Sequence, residues 1–599
     1  MPAPQRTLPA RCLIPLLLLG SLLGAACSSM DAIDRRVERV IGERSGALQA
    51  PPAAMRRSES TDLPSRSLYD KHPGTRNPTA GEIAFEEADP NRPIIDRLDG
   101  YYRSQVEPIG YDDPDAEPPV GPALKPLELD LEGAFRLAQR FGREYRTAEE
   151  DYIFAVIRLL IERHRWGPRF FNDTTAFVDF TSNDGDYSSA LRVINELRAT
   201  QRLPYGGEFE ARLVTNLSHQ LMEVVGDRNE RATSLILSAG IPLLRNAGLI
   251  AQEDLIQAER DTVYAARQFE RFRREYLVSI AQDYFNLVAA LATIANQESS
   301  LLSRERLLAQ RQAEVQAGRV AAFDERNVRQ NVLRTRVSLL NARESYQLAL
   351  DRFKIRLGLP VETDIVIQPV NLELPEPEVS VRTASALALQ FRLDFQNALD
   401  ALADARRAIL NAKNQLLPNL DLGLQAAFNT DEDDNSRTNL LPNFDLEDTD
   451  YTMSVTFGLP LDREIERLTL RQTTIQLQQA IRNAEQFRDS IILSARASVR
   501  EIDRARFALT LQEEAIVINL LRLEQMEIQA DEIDALTRLD AENELLQSQI
   551  DRDLAQRDLR VAILNYLLTT GQMRVRPDGT FQPLQGMVVR ELDPTAATP

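Results

Sequence analysis

Two proline-free tracts of nearly equal length constrain the fold of this chain most strongly. One lies between Pro242 and Pro360, and the other lies between Pro460 and Pro577. The stretch EVQAGRVAAFDE (314–325) in the first tract resembles EIQADEIDALTR at the corresponding place in the second. Self-similarity at a fixed separation indicates an internal repeat, so each half is expected to fold into the same kind of unit.

Long helices are the main element predicted for each half. Aromatic residues make up only 6% of the chain, whereas Ala, Leu, Gln, Glu and Arg, which favour helices, are abundant. The predicted long helices cover 246–316 and 463–529, and each would be roughly 100 Å long at 1.5 Å per residue. The shorter helices are predicted at about 130–165, 321–357, 383–416 and 533–569.

A coiled-coil pattern in the first long helix predicts side-by-side packing. Leu277, Ile280, Tyr284, Leu287 and Leu291 recur at alternating spacings of three and four residues. A helix of this length cannot bury such a seam alone and needs neighbours of similar length. Two short helices stacked end to end would match one long helix.

Between the short and long helices the hydrophobic period changes to two, which is typical of β-strands. Apolar and polar residues alternate in NLDLGLQAAFN (419–429) and YTMSVTFGL (451–459), and similarly at 209–217 and 235–241 in the first half. Residues 171–180 alternate poorly, so whether they form a strand stays open. The first half is also expected to carry an insertion, within 182–230.

These strands fit either a membrane barrel or a soluble β-hairpin that covers a core with one face. No other hydrophobic layer is predicted for them to cover, which favours the barrel. Four strands cannot close a barrel, but three copies of the chain would supply twelve, and closure removes the unpaired edges that lipid forbids. The sequence therefore predicts a mainly α protein with membrane β-structure, most simply a trimer.

The N-terminus is predicted to be a processing segment. Arg6 and Arg11 precede an apolar run that is too short to span a bilayer, and AAC follows it. Small residues before Cys27 resemble a bacterial lipoprotein signal, in which this cysteine is lipidated; the alternative is an ordinary signal cleaved near Ala26. Ser28, rather than Asp, resembles outer-membrane sorting in such lipoproteins.

The rest of the chain divides by composition into an arm, two repeats and their connections. The arm is acidic and rich in proline, and a short amphipathic helix is expected in it near 31–44. The predicted domains are a signal peptide at 1–27, the N-terminal arm at 28–126, a first repeat at 127–360, a linker at 361–382, a second repeat at 383–576 and a C-terminal tail at 577–599.

Charge and motif content argue against nucleic-acid binding and against catalysis. The net charge of −20 disfavours a nucleic-acid partner, which requires a basic face. His72, His164 and His219 have no spacing typical of a metal site. The sequence contains no phosphate-binding glycine loop and no nucleophile elbow. We therefore predict no enzyme activity, no cofactor and no metal site.

Taken in order, these features resemble the TolC-like outer-membrane efflux protein family over about 127–575. The resemblance rests on five segments. They are LELDLEGAFRLAQR, ILSAGIPLLRNAG, VTFGLPLDREIER, EVQAGRVAAFDE and LDAENELLQSQ. The resemblance implies a homotrimeric, twelve-stranded outer-membrane β-barrel continued by a periplasmic α-helical barrel. It also implies partners, namely a periplasmic adaptor protein and an inner-membrane transporter.

The resemblance places the two helical turns at the periplasmic tip. The turn residues are Gly318 and Arg319 in the first half and Asp531 and Glu532 in the second; glycine suits a tight turn. In this family, carboxylates just after the turns resemble a charged constriction. The matching acids here are Asp324 and Asp540, with Glu325 and Asp534 as neighbours. The alternative is that these acids are solvated charges on a helix face.

Aromatic residues follow the first short helix at the expected junction with the membrane. Trp166, Phe170 and Phe171 are predicted to join an interfacial girdle, or alternatively to pack at the transition from helix to strand. The function implied for the whole chain is a passive export duct of a tripartite efflux or type I secretion system in the outer membrane of a Gram-negative-type bacterium. The alternative is a lipid-anchored periplasmic coiled-coil scaffold or adaptor without a pore.

Overall fold

The computed structural model describes residues 30–47, 127–183, 186–220, 230–361, 363–369, 377, 380–430, 444–528, 535–576 and 581–583. The chain divides into two compact units. The larger comprises Met1–Ala53, Glu128–Thr363 and Ile367–Pro599, and the smaller comprises Ala54–Leu127 and Asp364–Val366. In the smaller unit, the Leu127 amide donates to the Asp364 carbonyl oxygen at 2.9 Å. The predicted signal peptide with Cys27, and nearly all of the predicted arm, lie outside the described residues.

Helices make up most of the larger unit, and they occur in the predicted order with bounds close to the predicted ones. They are α1 (Met30–Ala47), α2 (Leu131–Phe141), α3 (Arg143–Arg165), α4 (Glu253–Gln316), α5 (Ala322–Leu357), α6 (Val381–Phe391), α7 (Leu393–Asn414), α8 (Glu464–Ile528) and α9 (Ala535–Thr569). A short 3₁₀ helix at Gly248–Gln252 precedes α4. The short helix α1 confirms the amphipathic helix predicted near 31–44.

Each of the two helices predicted before the strands is instead a pair, α2–α3 and α6–α7, and this corrects the single helices expected there. Gly142 separates the first pair, and Arg392, with extended backbone, separates the second. Asp130 caps α2 by accepting from the Gly133 amide at 2.7 Å, and Ser380 caps α6 by accepting from the Thr383 amide at 3.3 Å. The two breaks therefore occur at matching places in the two halves.

A close approach of two backbones explains the break in each half. The left-handed glycine that ends α5, Gly358, lies so near the end of α2 that an added Cβ would be 2.1 Å from the Phe141 carbonyl oxygen. The left-handed Gly571 after α9 lies near the end of α6, where an added Cβ would be 2.9 Å from the Phe391 carbonyl oxygen. Only glycine combines this backbone conformation with so little space.

Side-by-side packing of the long helices agrees with the coiled-coil prediction. The apolar seam of α4 is buried, with Leu277, Ile280 and Tyr284 fully enclosed. At the end of the helical layer nearer the strands, neighbouring helices follow the order α3, α4, α7, α8. At the end nearer the turns, the order is α5, α4, α9, α8. The short helices thus stack in pairs beside α4 and α8, as their lengths predicted.

A buried cluster of charges fastens the last described strands to α4. Glu270 accepts hydrogen bonds from Arg273 at 2.9 Å and from Arg274 at 2.7 Å, and Arg273 also donates to the Val575 carbonyl oxygen at 2.9 Å. Burial, together with repulsion from Arg274, lowers the pKa of Arg574 to about 10. Glu270 therefore compensates the charges of both arginines, while Nη1 of Arg273 is buried without a hydrogen-bond partner.

Six of the strands form one antiparallel sheet in the order β2-β3-β4-β5-β7-β8. The strands are β1 (Leu127–Leu129), β2 (Arg169–Asn183), β3 (Asp186–Arg202), β4 (Glu208–Gln220), β5 (Glu230–Pro242), β6 (Ile365–Ile367), β7 (Asn419–Thr430), β8 (Phe444–Gly458), β9 (Met573–Val575) and β10 (Phe581–Pro583). The four-strand prediction is therefore wrong for this sheet, because the segment at 171–180 is a strand and the region of the expected insertion contains its hairpin partner β3.

The poor alternation of β2 has a local cause. Asn172 and Thr174 lie on the otherwise apolar face of the strand, and both accept hydrogen bonds from the side-chain amide of Asn195 on β3, at 2.8 and 2.7 Å. The polar groups satisfy one another across the two strands. This pairing depends on residues distant in sequence, which is why periodicity within β2 alone could not reveal the strand.

Candidate functional site

The first half places its helical turn where the sequence predicted it. Gly318 has φ +68°, and its amide donates to the Val315 carbonyl oxygen, while the Arg319 amide donates to that of Glu314, both at 3.0 Å. No atom lies within 4 Å of a Cβ added at Gly318, so the glycine is required by the backbone conformation rather than by space. Asp531, Glu532 and Asp534, the matching residues of the second half, lie outside the described residues.

The predicted aperture acids differ in their surroundings. Glu325 accepts hydrogen bonds from Arg329 at 2.7 Å and from Gln312 at 3.4 Å, so its charge is already paired. Asp324 is half-buried in the first turn of α5, where a carboxylate is also favoured by the helix dipole. Asp540 is exposed on α9. Within the part of the chain that the structure describes, no ion pair involves Asp324 or Asp540.

A small apolar cluster brings these two acidic segments together. Leu307 of α4, Val328 of α5 and Leu539 of α9 are buried against one another. Val328 lies one helical turn after Asp324, and Leu539 directly precedes Asp540. The beginnings of α5 and α9 are therefore both fixed against α4, close to the turns.

Arg304 is a further residue near the turns, and the sequence analysis missed it. Its side chain is only 4% exposed. One guanidinium nitrogen donates to the Thr335 hydroxyl of α5 at 2.7 Å, and the other donates to the side-chain oxygen of Asn543 on α9. Burial lowers the pKa of Arg304, whereas the charge of Glu542 raises it. Arg304 thus ties three helices that belong to both halves of the chain.

The spacing between Arg304 and Leu307 is the sequence signal that could have found this residue. Positions three apart share a helix face, so an arginine three residues before a buried leucine must also face the neighbouring helices. A buried guanidinium needs acceptors there, and neutral Thr335 and Asn543 supply them.

One face of the sheet is apolar across all six strands. A single row of directly paired residues crosses it: Phe170, Ala199, Ala211, Leu237, Ala426 and Tyr451. At the two ends of this row, Phe170 is 65% exposed and Tyr451 is 75% exposed. In water, so large an exposed apolar face would not be stable, and it is typical of contact with lipid.

The opposite face is polar, and the ion pairs described on it join residues of β2, β3 and β4, with one partner, Glu162, on α3. Arg212 pairs with Glu196 at 3.2 Å and with Glu210 at 2.5 Å, and Arg198 pairs with Asp173 at 3.8 Å. Two further pairs of this network, Arg169–Glu208 and Arg202–Glu162, have 3.6 Å separations. We call this network the charged sector.

On β5, β7 and β8 that face also carries the acids Asp421 and Asp450, and the rest of it is lined mainly by small neutral residues. The members are Ser234, Ser238, Gly240, Gly423, Gln425, Thr452, Ser454 and Thr456. Gly423 lies against Ser454, whose hydroxyl oxygen would be 2.5 Å from an added Cβ. The polar face is therefore divided into two chemically different parts.

The three predicted interfacial aromatics have different positions. Trp166 ends α3, and its amide donates to the carbonyl oxygens of Arg163 and His164, so it lies at the helix-to-strand transition. Phe170 lies on the apolar face, whereas Phe171 lies on the polar face, with Arg169 and Arg198 5.6 and 5.3 Å from its ring. Because neighbours along a strand point to opposite faces, the two phenylalanines cannot both join a girdle.

No metal site or membrane-spanning helix bundle emerges from the described residues. Within them, no group of three or more His, Cys, Asp or Glu side chains could hold a metal ion. One helical segment, Gly248–Gln316, is apolar and long enough to cross a membrane by composition, but 44% of its most apolar window is buried inside the chain. A core helix passes the same test, and α4 packs as one.

Among known proteins, solved structures resemble this chain, whereas sequence comparisons find no match. No protein-family model matches the chain, and no curated protein matches it. Solved structures do match: the outer membrane channel CmeC of Campylobacter jejuni, with a TM-score of 0.55 and 14% identity over 74% of this chain and 85% of that one, is an example.

Two further solved structures agree. The open state of the outer membrane channel MtrE of Neisseria gonorrhoeae matches with a TM-score of 0.52 and 15% identity, covering 74% of this chain and 89% of that one. CusC, which forms a transmembrane channel, matches with a TM-score of 0.54 and 16% identity, covering 74% of this chain and 92% of that one. The resemblance inferred from the sequence is thus confirmed structurally, and this chain has the fold of the TolC-like outer-membrane channels.

Proposed function

We propose that this protein is a homotrimeric outer-membrane channel, a passive export duct that crosses the outer membrane as a β-barrel and the periplasm as an α-helical barrel. Its two tandem repeats would each supply one helical turn to the periplasmic tip. The observation that carries the proposal is that a single chain has unfilled edges in both its sheet and its helical layer, and that copies of the same chain can fill both.

The helical layer ends at α5 on one side and at α8 on the other, and both helices expose apolar stripes. On α5, Leu333, Val337 and Leu340 recur at spacings of four and three and are 55%, 58% and 58% exposed. On α8, Phe507 and Ile518 are 72% and 64% exposed. Stripes with this spacing are coiled-coil seams that need a partner helix. In a ring of copies, α5 of one copy would meet α8 of the next.

The sheet ends at β2 and β8, and these edge strands run in opposite directions because the sheet is antiparallel with an even number of strands. Rotation about a ring axis therefore places β8 of one copy antiparallel to β2 of the next. Edge strands in lipid would leave unpaired amide and carbonyl groups at a cost of several kcal/mol each, so closure is strongly favoured.

The tip is the proposed gate. Arg304 and the cluster of Leu307, Val328 and Leu539 would hold the two hairpins of each copy together in the closed state. Asp324 and Asp540, repeated around the ring, would favour cations at the opening. A periplasmic adaptor and an inner-membrane transporter would open the tip and supply the energy. Lipid on Cys27 would add an anchor to the outer membrane.

The test is to purify the full chain with Cys27 replaced by serine and to examine it in detergent. We expect detergent to be required for extraction, particle images with three-fold symmetry, and conductance in planar bilayers. A monomer that dissolves without detergent and has no conductance would support the alternative, a lipid-anchored periplasmic scaffold, and would overturn the proposal.

A further inference from the structure

We infer that each copy contributes all six strands of its sheet to the membrane wall, so that three copies close an eighteen-stranded barrel with three charged sectors on its inner surface. This inference rests on the proposed function and deepens it. It concerns the β2–β3 hairpin, which adds two strands to the four predicted from the sequence.

The hairpin is an integral part of the sheet. Strands β2 and β3 pair without interruption from Arg169–Thr200 to Asn183–Asp186. Strand β3 in turn pairs with β4 from Arg202–Glu208 to Ala190–Gln220. Since β4 has a partner on each side, its edge is not free to meet another copy. The free edge on that side of the sheet belongs to β2.

The apolar face of the hairpin continues that of the other strands in the same register. The row from Phe170 to Tyr451 crosses β2 and β3 before it reaches β4, β5, β7 and β8. A second row runs from Asn172 through Leu197, Leu213, Leu235 and Phe428 to Thr449. The polar Asn172 in this row is paired with Asn195. A hairpin that folded away from the wall would lose this continuous surface.

The charged sector requires that the other face of the hairpin contact water. Asp173, Glu196 and Arg198 all lie on that face of β2 and β3, and Arg212 of β4 joins them through Glu196. Turning these charges toward lipid would cost several kcal/mol, whereas a lumen solvates them. The hairpin therefore has one face for lipid and one for an aqueous pore, which is the requirement for a strand in the wall.

The strand number determines the width of the pore. Barrel diameter increases roughly in proportion to the number of strands, so eighteen strands would make a wall about half again as wide as twelve. The membrane section would then not limit the size of the cargo, and the helical tip would be the narrowest part. Around the ring, the inner surface would alternate the charged sectors with sectors lined mainly by small neutral residues.

The primary experiment is a density map of the full-length protein in lipid nanodiscs, resolved well enough to count the strands. We expect a three-fold ring of eighteen strands in which β2 of one copy is adjacent to β8 of the next. A trimer with a twelve-stranded wall and the β2–β3 hairpin outside it would overturn this inference and leave the proposed channel intact. Particles without a barrel would overturn both.

Disulfide trapping in membranes provides the matched control. Phe170 and Phe457 are the second residues from the helix-proximal ends of β2 and β8, and both face the apolar side, 65% and 62% exposed. Phe170→Cys should therefore form covalent dimers and trimers when combined with Val455→Cys, Phe457→Cys or Leu459→Cys. Phe209→Cys, at the same position of β4, should form none with these partners. The reverse result would show that β4, and not β2, meets the next copy.

Discussion

Arg304 shows how a single buried side chain can join the two halves of this chain. Its guanidinium reaches Thr335 of α5 and Asn543 of α9, and neither acceptor carries a charge. A buried charge whose hydrogen-bond partners are neutral depends on the precise placement of those partners. The residue therefore reports whether the two hairpins are in contact.

Arg304→Met should weaken this junction while keeping most of the side-chain volume. Hydrogen bonds to a charged group contribute about 1.5–3 kcal/mol each, so we expect a clear fall in the thermal unfolding temperature and, in the proposed channel, a higher conductance in planar bilayers. Arg306→Met is the control, since Arg306 is exposed on the same helix. Equal behaviour of the two variants would show that Arg304 does not hold the tip.

The aperture acids make a separate prediction about ion selectivity. Asp324→Asn combined with Asp540→Asn should reduce the preference for cations in bilayer recordings, because it removes the unpaired carboxylates near the turns. Glu325→Gln is the comparison, because the charge of Glu325 is already paired with Arg329. If the double variant keeps the cation preference of the unaltered channel, these acids are solvated charges and not a constriction.

Two tyrosines, the buried Tyr276 and the half-buried Tyr264, predict how stability changes in alkaline solution. Burial, with the negative charge of Glu144, raises the pKa of Tyr276 to about 12, and burial with a hydrogen bond to Asp404 raises that of Tyr264 to about 12. The unfolded chain releases these two protons near pH 10. The contribution of the two tyrosines to the free energy of unfolding should therefore be constant below pH 10 and should be lost between pH 10 and 12.

Ultraviolet absorbance of tyrosinate during titration checks this prediction. Tyr276→Phe should remove one late-titrating group and make the loss of stability above pH 10 shallower. Tyr205→Phe should change neither, because Tyr205 is 78% exposed. Titration of both Tyr276 and Tyr264 near pH 10 in the folded protein would contradict the prediction.

At the scale of elements, the glycines that end α5 and α9 fix how each closing helix meets the short helices. Gly358 and Gly318 have similar backbone conformations, with φ of +78° and +68°, but different surroundings. The first lies against the Phe141 carbonyl group, and the second is open to space. Comparing substitutions at Gly358 and Gly318 therefore separates the cost of the left-handed backbone conformation from the cost of steric overlap.

Gly358→Ala should be far more destabilising than Gly318→Ala. The left-handed conformation alone costs about 1–2 kcal/mol for a residue with a Cβ, and this cost applies to both variants. Only at Gly358 must the backbone also move, because the added Cβ would overlap the Phe141 carbonyl oxygen. Thermal unfolding at fixed protein concentration measures the difference. A similar loss at both sites would mean that α2 and α5 approach less closely than described.

At the scale of the whole molecule, the exposed stripe on α5 predicts which surface the copies share. Val337→Asp should prevent assembly of the trimer, because it places a charge in a seam that the next copy would bury. Asn341→Asp adds the same charge at an exposed position beside the stripe and should leave assembly unchanged. Light scattering in detergent measures the mass of the particle; an intact trimer of the Val337→Asp variant would exclude α5 from the interface.

Local patterns were enough to predict most helices and four of the six sheet strands. The heptad spacing of α4 and the alternation in β7 and β8 arise from residues a few positions apart, so periodicity reveals them. The same reasoning failed at β2, where Asn172 and Thr174 interrupt the apolar face. The dipeptide Asp184-Gly185, which is typical of a two-residue hairpin turn, was the available signal for the β2–β3 hairpin.

Sequence alone determined the lengths of the long helices and the position of the turn at Gly318, because each depends on propensity and spacing within one segment. Only the tertiary structure decided the strand number, the charged sector and the junction at Arg304. The physical reason is that each of these depends on pairing between distant segments: Asn195 satisfies β2, Glu196 meets Arg212, and Arg304 finds its acceptors on two other helices. The sequence contains both members of each pair, but patterns within one segment do not reveal which distant residues come into contact.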